Sequence, residues 1–297
     1  MASAASSRTS SSELLLFVIS TCSLLSLSHQ QAANTNSAAP PPPPFSFSFD
    51  FTNPFSFNSA DLRFESNATV HGNLVDLTCN LRDHNINNCA GRMSYRHKVP
   101  FYDNTTSTLA SFNTTFTFAI KADGNTPLGD GLAFFLSAPS DDMPPDSNGG
   151  RFGLLSRNET QVFGARQFVA VEFDTYRNPP WNDPISNHIG IDVGTLTSLN
   201  TTSLPTNTTL NGTWMATVTF DNVTWMLNVS VSIQSPDHRP SNMEPFVVTR
   251  SVARSKGDSS AGSGGGVFSG HRRIQSAQSD TEMVLQLHYC CSNSNPR

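Results

Sequence analysis

The densest run of polar side chains is Glu172-Phe173-Asp174-Thr175-Tyr176-Arg177-Asn178, followed by Trp181-Asn182-Asp183-Pro184 and then His188-Ile189-Gly190-Ile191-Asp192. Glu172 and Asp174 stand at i and i+2, so on a strand they share one face. Two carboxylates aimed the same way from an apolar strand repel each other unless a cation lies between them. Asn178, Asp183 and His188 arrive from the following loop and from the start of the next apolar segment. Oxygen donors suit a hard cation such as Ca2+. A site that adds one imidazole suits Mn2+ or another transition metal. Two neighbouring cations sharing Asp174 and Asp183 would use all of these groups. Without a metal, the same residues read as a solvated polar loop with a capping histidine.

Two glycine-flanked groups stand upstream. Asp130 lies between Gly129 and Gly131 at the mouth of the apolar run Leu132-Ala133-Phe134-Phe135-Leu136. Glycine reaches backbone geometries closed to other residues, so this carboxylate can be held in an unusual direction. In Ser147-Asn148-Gly149-Gly150-Arg151-Phe152-Gly153-Leu154 the paired glycines let a ligand approach the main chain. Taken singly, either group reads as an ordinary turn.

The elements that must position these groups are strands. Strict period-2 alternation runs through Phe45-Ser46-Phe47-Ser48-Phe49-Asp50-Phe51, Phe112 to Phe118, Met215 to Phe220 and Leu227 to Ile233, placing apolar residues on one sheet face. Leu132–Leu136 and Phe168–Phe173 are apolar nearly throughout and read as central strands buried on both faces. Many short strands separated by Gly, Asn, Asp and Pro predict an all-β sandwich or barrel. Helical bundles are excluded by the lack of long Ala/Glu/Lys/Leu/Arg stretches. Charged residues make up 14% of the chain and the net charge is -5, which argues against a nucleic-acid partner.

Residues 1–33 have the order of a secretory signal: Arg8, an apolar block from Leu14 to Leu27, then Ala32 and Ala33. No later run approaches the roughly 20 apolar residues of a membrane span. Residues 34–44 end in a proline run and read as an extended spacer. Nine N-x-[ST] sequons, at Asn67, Asn104, Asn113, Asn158, Asn200, Asn207, Asn211, Asn222 and Asn228, suit a secreted glycoprotein. Some are expected to face inward on strands and to escape modification. Cys79 and Cys89 flank a polar loop and read either as a local disulfide, in an oxidising compartment, or as two buried thiols. Residues 253–297 are expected to be a low-complexity, disordered tail.

Taken together, Gly129-Asp130-Gly131-Leu132-Ala133-Phe134-Phe135-Leu136, Gly149-Gly150, Val-Glu-Phe-Asp-Thr-Tyr (171–176), Trp-Asn-Asp-Pro and His-Ile-Gly-Ile-Asp-Val resemble the legume-type lectins. The ectodomain of plant L-type lectin receptor kinases is especially similar, over about Phe45 to Val252. The resemblance implies a concanavalin-like jelly-roll sandwich over 45–252 that binds sugar through loops set by Mn2+ and Ca2+. On that basis Glu172, Asp174, Asp183 and His188 would hold the transition metal, and Asp174, the Tyr176 carbonyl, Asn178 and Asp183 would hold Ca2+. Asp130, the Gly150 amide and the Asn178 amide would meet sugar hydroxyls, with the Tyr176 ring stacked on the pyranose and a cis peptide after Gly129.

Several positions depart from the family pattern. Asn182 lengthens its usual Trp-Asp-Pro step, Gly194 replaces an Asn, and Arg151 replaces a common aromatic. The Val-Gly-Phe-Ser loop and closing Trp-Ser-Phe strand are missing. Read one nucleotide later, the codons of Glu282-Met283-Val284 give Lys or Arg, then an obligatory Trp, then a codon that permits Ser. The tail therefore reads as frameshifted between about Ser251 and Gly257 and the closing strand as altered; transcript reads in one continuous frame across codons 250–260 would refute this.

The leading functional expectation is a lectin, secreted to the extracellular space or cell wall, that binds glycans or glycoproteins without turnover and pairs as a homodimer. One alternative is a receptor-ectodomain-like fragment that binds no sugar. The other is a jelly-roll glycosidase, disfavoured because Glu172-x-Asp174-x-x-Arg177 ends in Arg where such enzymes carry their acid.

Overall fold

Alternation of β-branched and aromatic residues with Ser, Thr and Asn builds half-buried strands, and the computed structural model has fifteen among the described residues. The described residues are 45–51, 58–72, 74–79, 88–103, 108–121, 128–137, 142–234, 246–251 and 288–290. The chain divides into two units, Met1–Ser46 and Phe47–Arg297; of the first, only Phe45 and Ser46 are described. The expected signal (1–33), the spacer (34–44), Asn104 and residues 253–287 and 291–297 of the tail lie outside the described residues.

The first six strands are short: β1 (Leu62–Ser66), β2 (Thr69–His71), β3 (Leu74–Asp76), β4 (Gly91–Tyr95), β5 (Tyr102–Asp103) and β6 (Thr108–Leu109). They pair as β1-β4, β2-β3 and β5-β6. The two larger sheets use β7 (Phe112–Ile120), β8 (Gly131–Leu136), β9 (Val169–Asp174), β10 (His188–Val193), β11 (Asn200–Ser203), β12 (Gly212–Asp221), β13 (Met226–Ile233), β14 (Phe246–Ser251) and β15 (His288–Cys290). One has the order β14-β13-β12-β7 and the other β11-β10-β9-β8-β15.

The two sheets differ in what covers them. Along β12, Trp214, Ala216, Val218 and Phe220 are buried while Thr213, Met215, Thr217 and Thr219 are not, so one face carries the core. In the five-stranded sheet, Leu132, Phe134 and Leu136 join that same core. Ala133 and Phe135 point the other way, into a second cluster with Phe152, Leu154, Leu155, Val162, Phe168 and Trp181. As the unbroken apolar runs imply, β8 and β9 are buried on both faces.

Three sequence expectations are corrected. Phe45–Phe51 lies outside the strands; its alternation instead leaves Phe47, Phe49 and Phe51 half-buried against the core, with Phe47 stacked on Tyr95 at 4.1 Å. None of the eight described sequon asparagines is buried. The inward positions of β7, β12 and β13 are taken by apolar residues, which pushes Asn113 and Asn228 to the outer face. In the tail expected to be disordered, His288–Cys290 forms a strand paired with β8 through Cys290↔Gly131, Tyr289↔Leu132 and His288↔Ala133. Cys79 and Cys89 are joined by a disulfide, with Cα atoms 5.7 Å apart.

Candidate functional site

Strand register alone gathers the site at one end of the five-stranded sheet. Gly131 pairs with Asp174 across β8 and β9, and Asp174 pairs with His188 across β9 and β10. Asp130, Asp174 and His188 therefore start or end three adjacent strands. Two residues further in, Glu172 lies opposite Gly190. A Cβ at Gly190 would sit 2.3 Å from Glu172 Oε1 and 2.2 Å from Ser198 Oγ, so the glycine makes room for the glutamate side chain.

Glu172, Asp174 and His188 bring one ligand atom each within 4.8 Å of one another. Glu172 and Asp174 are each 1% exposed and His188 is 0%. His188 Nε2 is 3.2 Å from Glu172 Oε1, while Nδ1 is 2.8 Å from the Ile185 carbonyl. The carbonyl can only accept, so we place a proton on Nδ1, which leaves Nε2 aimed at the acids. Ser198 Oγ donates to Glu172 Oε1 at 2.6 Å or to Asp192 Oδ1 at 2.8 Å.

This packing of acids is electrostatically frustrated. Burial, then the charge of Glu172, push Asp174 well above the usual carboxylate range. Burial likewise lifts Asp183 to about 6, against the opposing Asn178 amide, and raises Asp192, with Glu172 adding to the effect. Burial, the largest single effect, would lower His188, but its bond to Glu172, the charges of Glu172 and Asp183 and its bond to the Ile185 carbonyl together outweigh this, and its value is raised. Each shift is a tendency to hold a proton, and a cation in the cluster would satisfy the same demand. Carboxylates with one imidazole are a donor set that fits a transition metal.

The other expected ligands are placed differently. Asp183 lies close by, but outside the tight set formed by Glu172, Asp174 and His188. The reason is the extra residue before it: Asn182 takes the left-handed conformation (φ 64°, ψ 32°) after the 3-10 turn Pro179–Trp181. Asp183 is thereby turned onto the main-chain N–H of Asn178, which donates to Oδ2 at 2.5 Å. The Tyr176 amide donates to Asp174 Oδ1 at 2.6 Å, and Tyr176 is half-buried.

Beside this cluster the glycine-flanked groups meet. The Gly129–Asp130 peptide is cis, and Thr175 donates to the Asp130 carbonyl through N at 2.8 Å and Oγ1 at 2.9 Å. Asn178 Nδ2 is 3.4 Å from Asp130 Oδ1. A Cβ on Gly150 would lie 2.5 Å from Asn178 Oδ1, so the Gly150 main chain is seated directly on the Asn178 amide. Arg151 turns away from this junction. It donates to the Ser156 and Glu159 carbonyls at 2.7 and 2.9 Å and lies 5.4 Å from the Trp181 ring centroid. The sequence reading missed Ser198, whose bond to Glu172 joins segments 26 residues apart.

An antiparallel two-sheet sandwich that collects buried acids, an imidazole and a glycine turn at one sheet end defines a lectin-type β-sandwich. The chain belongs to the legume lectin family, whose domain model (Legume lectin domain) matches residues 46–254. Agglutinin-2 of Cladrastis kentukea is 40% identical over 159 residues, 52% of this chain and 53% of that protein. The probable L-type lectin-domain containing receptor kinase S.7 of Arabidopsis thaliana is 38% identical over 149 residues, 50% of this chain and 21% of that protein. Among solved structures, lectin I-B4 of Griffonia simplicifolia in its metal-free form superposes with a TM-score of 0.62 at 28% identity, covering 84% of this chain and 93% of that one. The chain spans about half the length of the curated lectins it matches. Legume lectins are non-enzymatic carbohydrate-binding proteins that bind metal ions, and this chain is a member of that family. Among the described residues, no helix is long and apolar enough to cross a membrane.

Proposed function

We propose that the chain is a secreted glycan-binding lectin whose sugar site is organised by Ca2+ and by Mn2+ or another transition metal. One observation carries the reading: Asp130, Gly150 and Asn178 converge beside the buried acids, with Asn178 Nδ2 3.4 Å from Asp130 Oδ1 and Gly150 on the same amide. In this reading the Asp130 carboxylate accepts from two sugar hydroxyls in charge-assisted bonds, while Gly150 N–H and Asn178 Nδ2 donate to sugar oxygens. The Tyr176 ring offers an apolar plate to the sugar's C–H face. Glu172, Asp174, Asp183 and His188 would hold the transition metal, and Asp174, Asn178, Asp183 and the Tyr176 carbonyl Ca2+. The cations supply the positive charge that lets these carboxylates stay ionised together. Passage through the secretory route is supported by the Cys79–Cys89 disulfide and by eight described sequon asparagines, none of them buried.

Calorimetric titration of metal-loaded protein with mannose, glucose and galactose, beside an EDTA-treated control, tests the reading. The expected result is heat with at least one sugar that disappears on chelation. Folded, metal-loaded protein giving no heat with any of the three would overturn it.

A further inference from the structure

Arg92 lies outside every motif that points to the site, yet it is the buried cation of this end of the fold. It stands on β4, paired in register with Glu65 on β1, and is 2% exposed. Its Nη2 donates to the Gly153 carbonyl at 2.7 Å. Its guanidinium carbon lies 4.9 Å from the centre of the Phe135 ring. Nη1 is 3.8 Å from Glu65 Oε2, and Glu65 Oε1 accepts from the Met143 amide at 3.0 Å. The side chain thus touches two segments that meet at the site: β8, which begins beside Asp130, and the turn that carries Gly150.

That turn has reason to need a clamp. Gly149, Phe152 and Gly153 have φ of +70°, +49° and +67°. Left-handed backbone is easy for the glycines and strained for phenylalanine. The Arg151 and Phe152 amides turn back onto the Gly149 carbonyl at 2.6 and 3.1 Å, and the Gly153 amide reaches the Ser147 carbonyl at 2.8 Å. Outside the turn, the guanidinium closes the loop from the other side through the Gly153 carbonyl. A charged group is costly to bury unless its partners are fixed. A planar guanidinium can lie over an aromatic ring while donating in its own plane, which an ammonium cannot.

We infer that Arg92 is a positioning residue of the carbohydrate site: by tying the Gly153 carbonyl to Phe135, it holds the Gly150 amide in register with Asp130 and Asn178. This rests on the sugar-binding reading above. It adds a support, separate from the metal cluster, that reaches the site from β4.

The test compares wild type with Arg92→Met, Arg92→Lys and Phe135→Leu, all as metal-loaded full-length protein. Each is titrated with the sugar that wild type binds, assayed for bound metal, and followed by amide hydrogen exchange. Arg92→Met is expected to weaken sugar binding by about 10- to 100-fold, the effect of losing a hydrogen bond to a charged group, with metal content unchanged. Exchange should accelerate at residues 147–155 and stay unchanged at 172–188. Arg92→Lys should restore part of the affinity, and Phe135→Leu, which keeps the charge but removes the ring, should fall between. Wild-type affinity and exchange in a folded Arg92→Met would overturn the inference, as would a loss of affinity matched by loss of metal. If Arg92→Met does not fold, Arg92→Lys and Phe135→Leu decide, and wild-type behaviour in both overturns it. If wild type itself binds no sugar, the carbohydrate reading fails first, while turn exchange still reports whether Arg92 clamps the loop.

Discussion

Removing the metals with EDTA and then lowering the pH should make this protein more stable, the reverse of ordinary acid denaturation. The effect follows from Asp183, lifted in the fold from 3.8 to about 6. An acid whose folded value lies above its unfolded one stabilises the fold while protonated. That contribution is fully present below 3.8 and lost as the pH rises through about 6. At pH 5 the folded carboxyl holds its proton by about ten to one, whereas the unfolded one is almost wholly ionised. The difference is about 1.4 kcal/mol from this residue, gone by pH 7.5. Asp174 and Asp192, raised by burial and by Glu172, act in the same sense. His188 does too: its stabilisation is present below 6.5 and lost as the pH rises through its higher folded value. For a domain of this size each kcal/mol moves the melting point by roughly 2–4 °C, so Asp183 alone predicts a gain of about 3–6 °C at pH 5 over pH 7.5. In metal-loaded protein the cations would take the place of the protons, and acid is expected to weaken their binding instead. Scanning calorimetry of both forms at the two pH values checks this. Metal-free protein that melts no higher at pH 5 than at pH 7.5 would refute the electrostatic account of the cluster.

Other perturbations reach different parts of the fold. Gly150→Ala drives a Cβ to 2.5 Å from Asn178 Oδ1; titration should show sugar affinity reduced by about 10-fold or more, with the transition metal retained. Gly190→Ala pushes into Glu172 and should deplete the transition metal first, read by elemental analysis. Glu159 is held at about 2, first by its bond from Arg166 and then by Ser156, so its stabilisation is present above 4.5 and lost as the pH falls through 2. Glu159→Gln should therefore melt below wild type at pH 6 and with it near pH 2, by a surface-screened contribution of about 1 kcal/mol or less. Replacing Cys79 and Cys89 with serine opens a loop of sequence separation 10 and should cost about 2–3 kcal/mol in a denaturant titration.

The parts of the site legible in the sequence were those carried by strand period. Glu172 and Asp174 had to share a face, and unbroken apolar runs marked β8 and β9 as buried on both sides. What stayed hidden depends on contacts between distant segments or on one residue's backbone. The tilt of Asp183 onto the Asn178 main-chain N–H comes from the left-handed Asn182; asparagine favours that conformation, but its presence does not say that this one adopts it. Arg92 reads as one more strand arginine until its partner, 61 residues away, is known. The phenylalanine alternation told which side of residues 47–51 faces the core, but alternation does not say whether a neighbour completes a ladder. The three residues of β15 are too few to leave a period at all.

The placement of Trp181 makes the site optically self-reporting. The chain has three tryptophans. Trp214 is sealed in the main core at 1% exposure, and Trp225 packs edge-on against Phe220 at 6.0 Å. Trp181 stands in the stretch between Asn178 and Asp183, under the guanidinium of a residue next to Gly150. On the proposed reading, cation loading would alter the loop beneath this indole and glycan docking would alter the charge above it. Intrinsic emission, with Trp181→Phe as the blank, can therefore follow both events in one unlabelled sample.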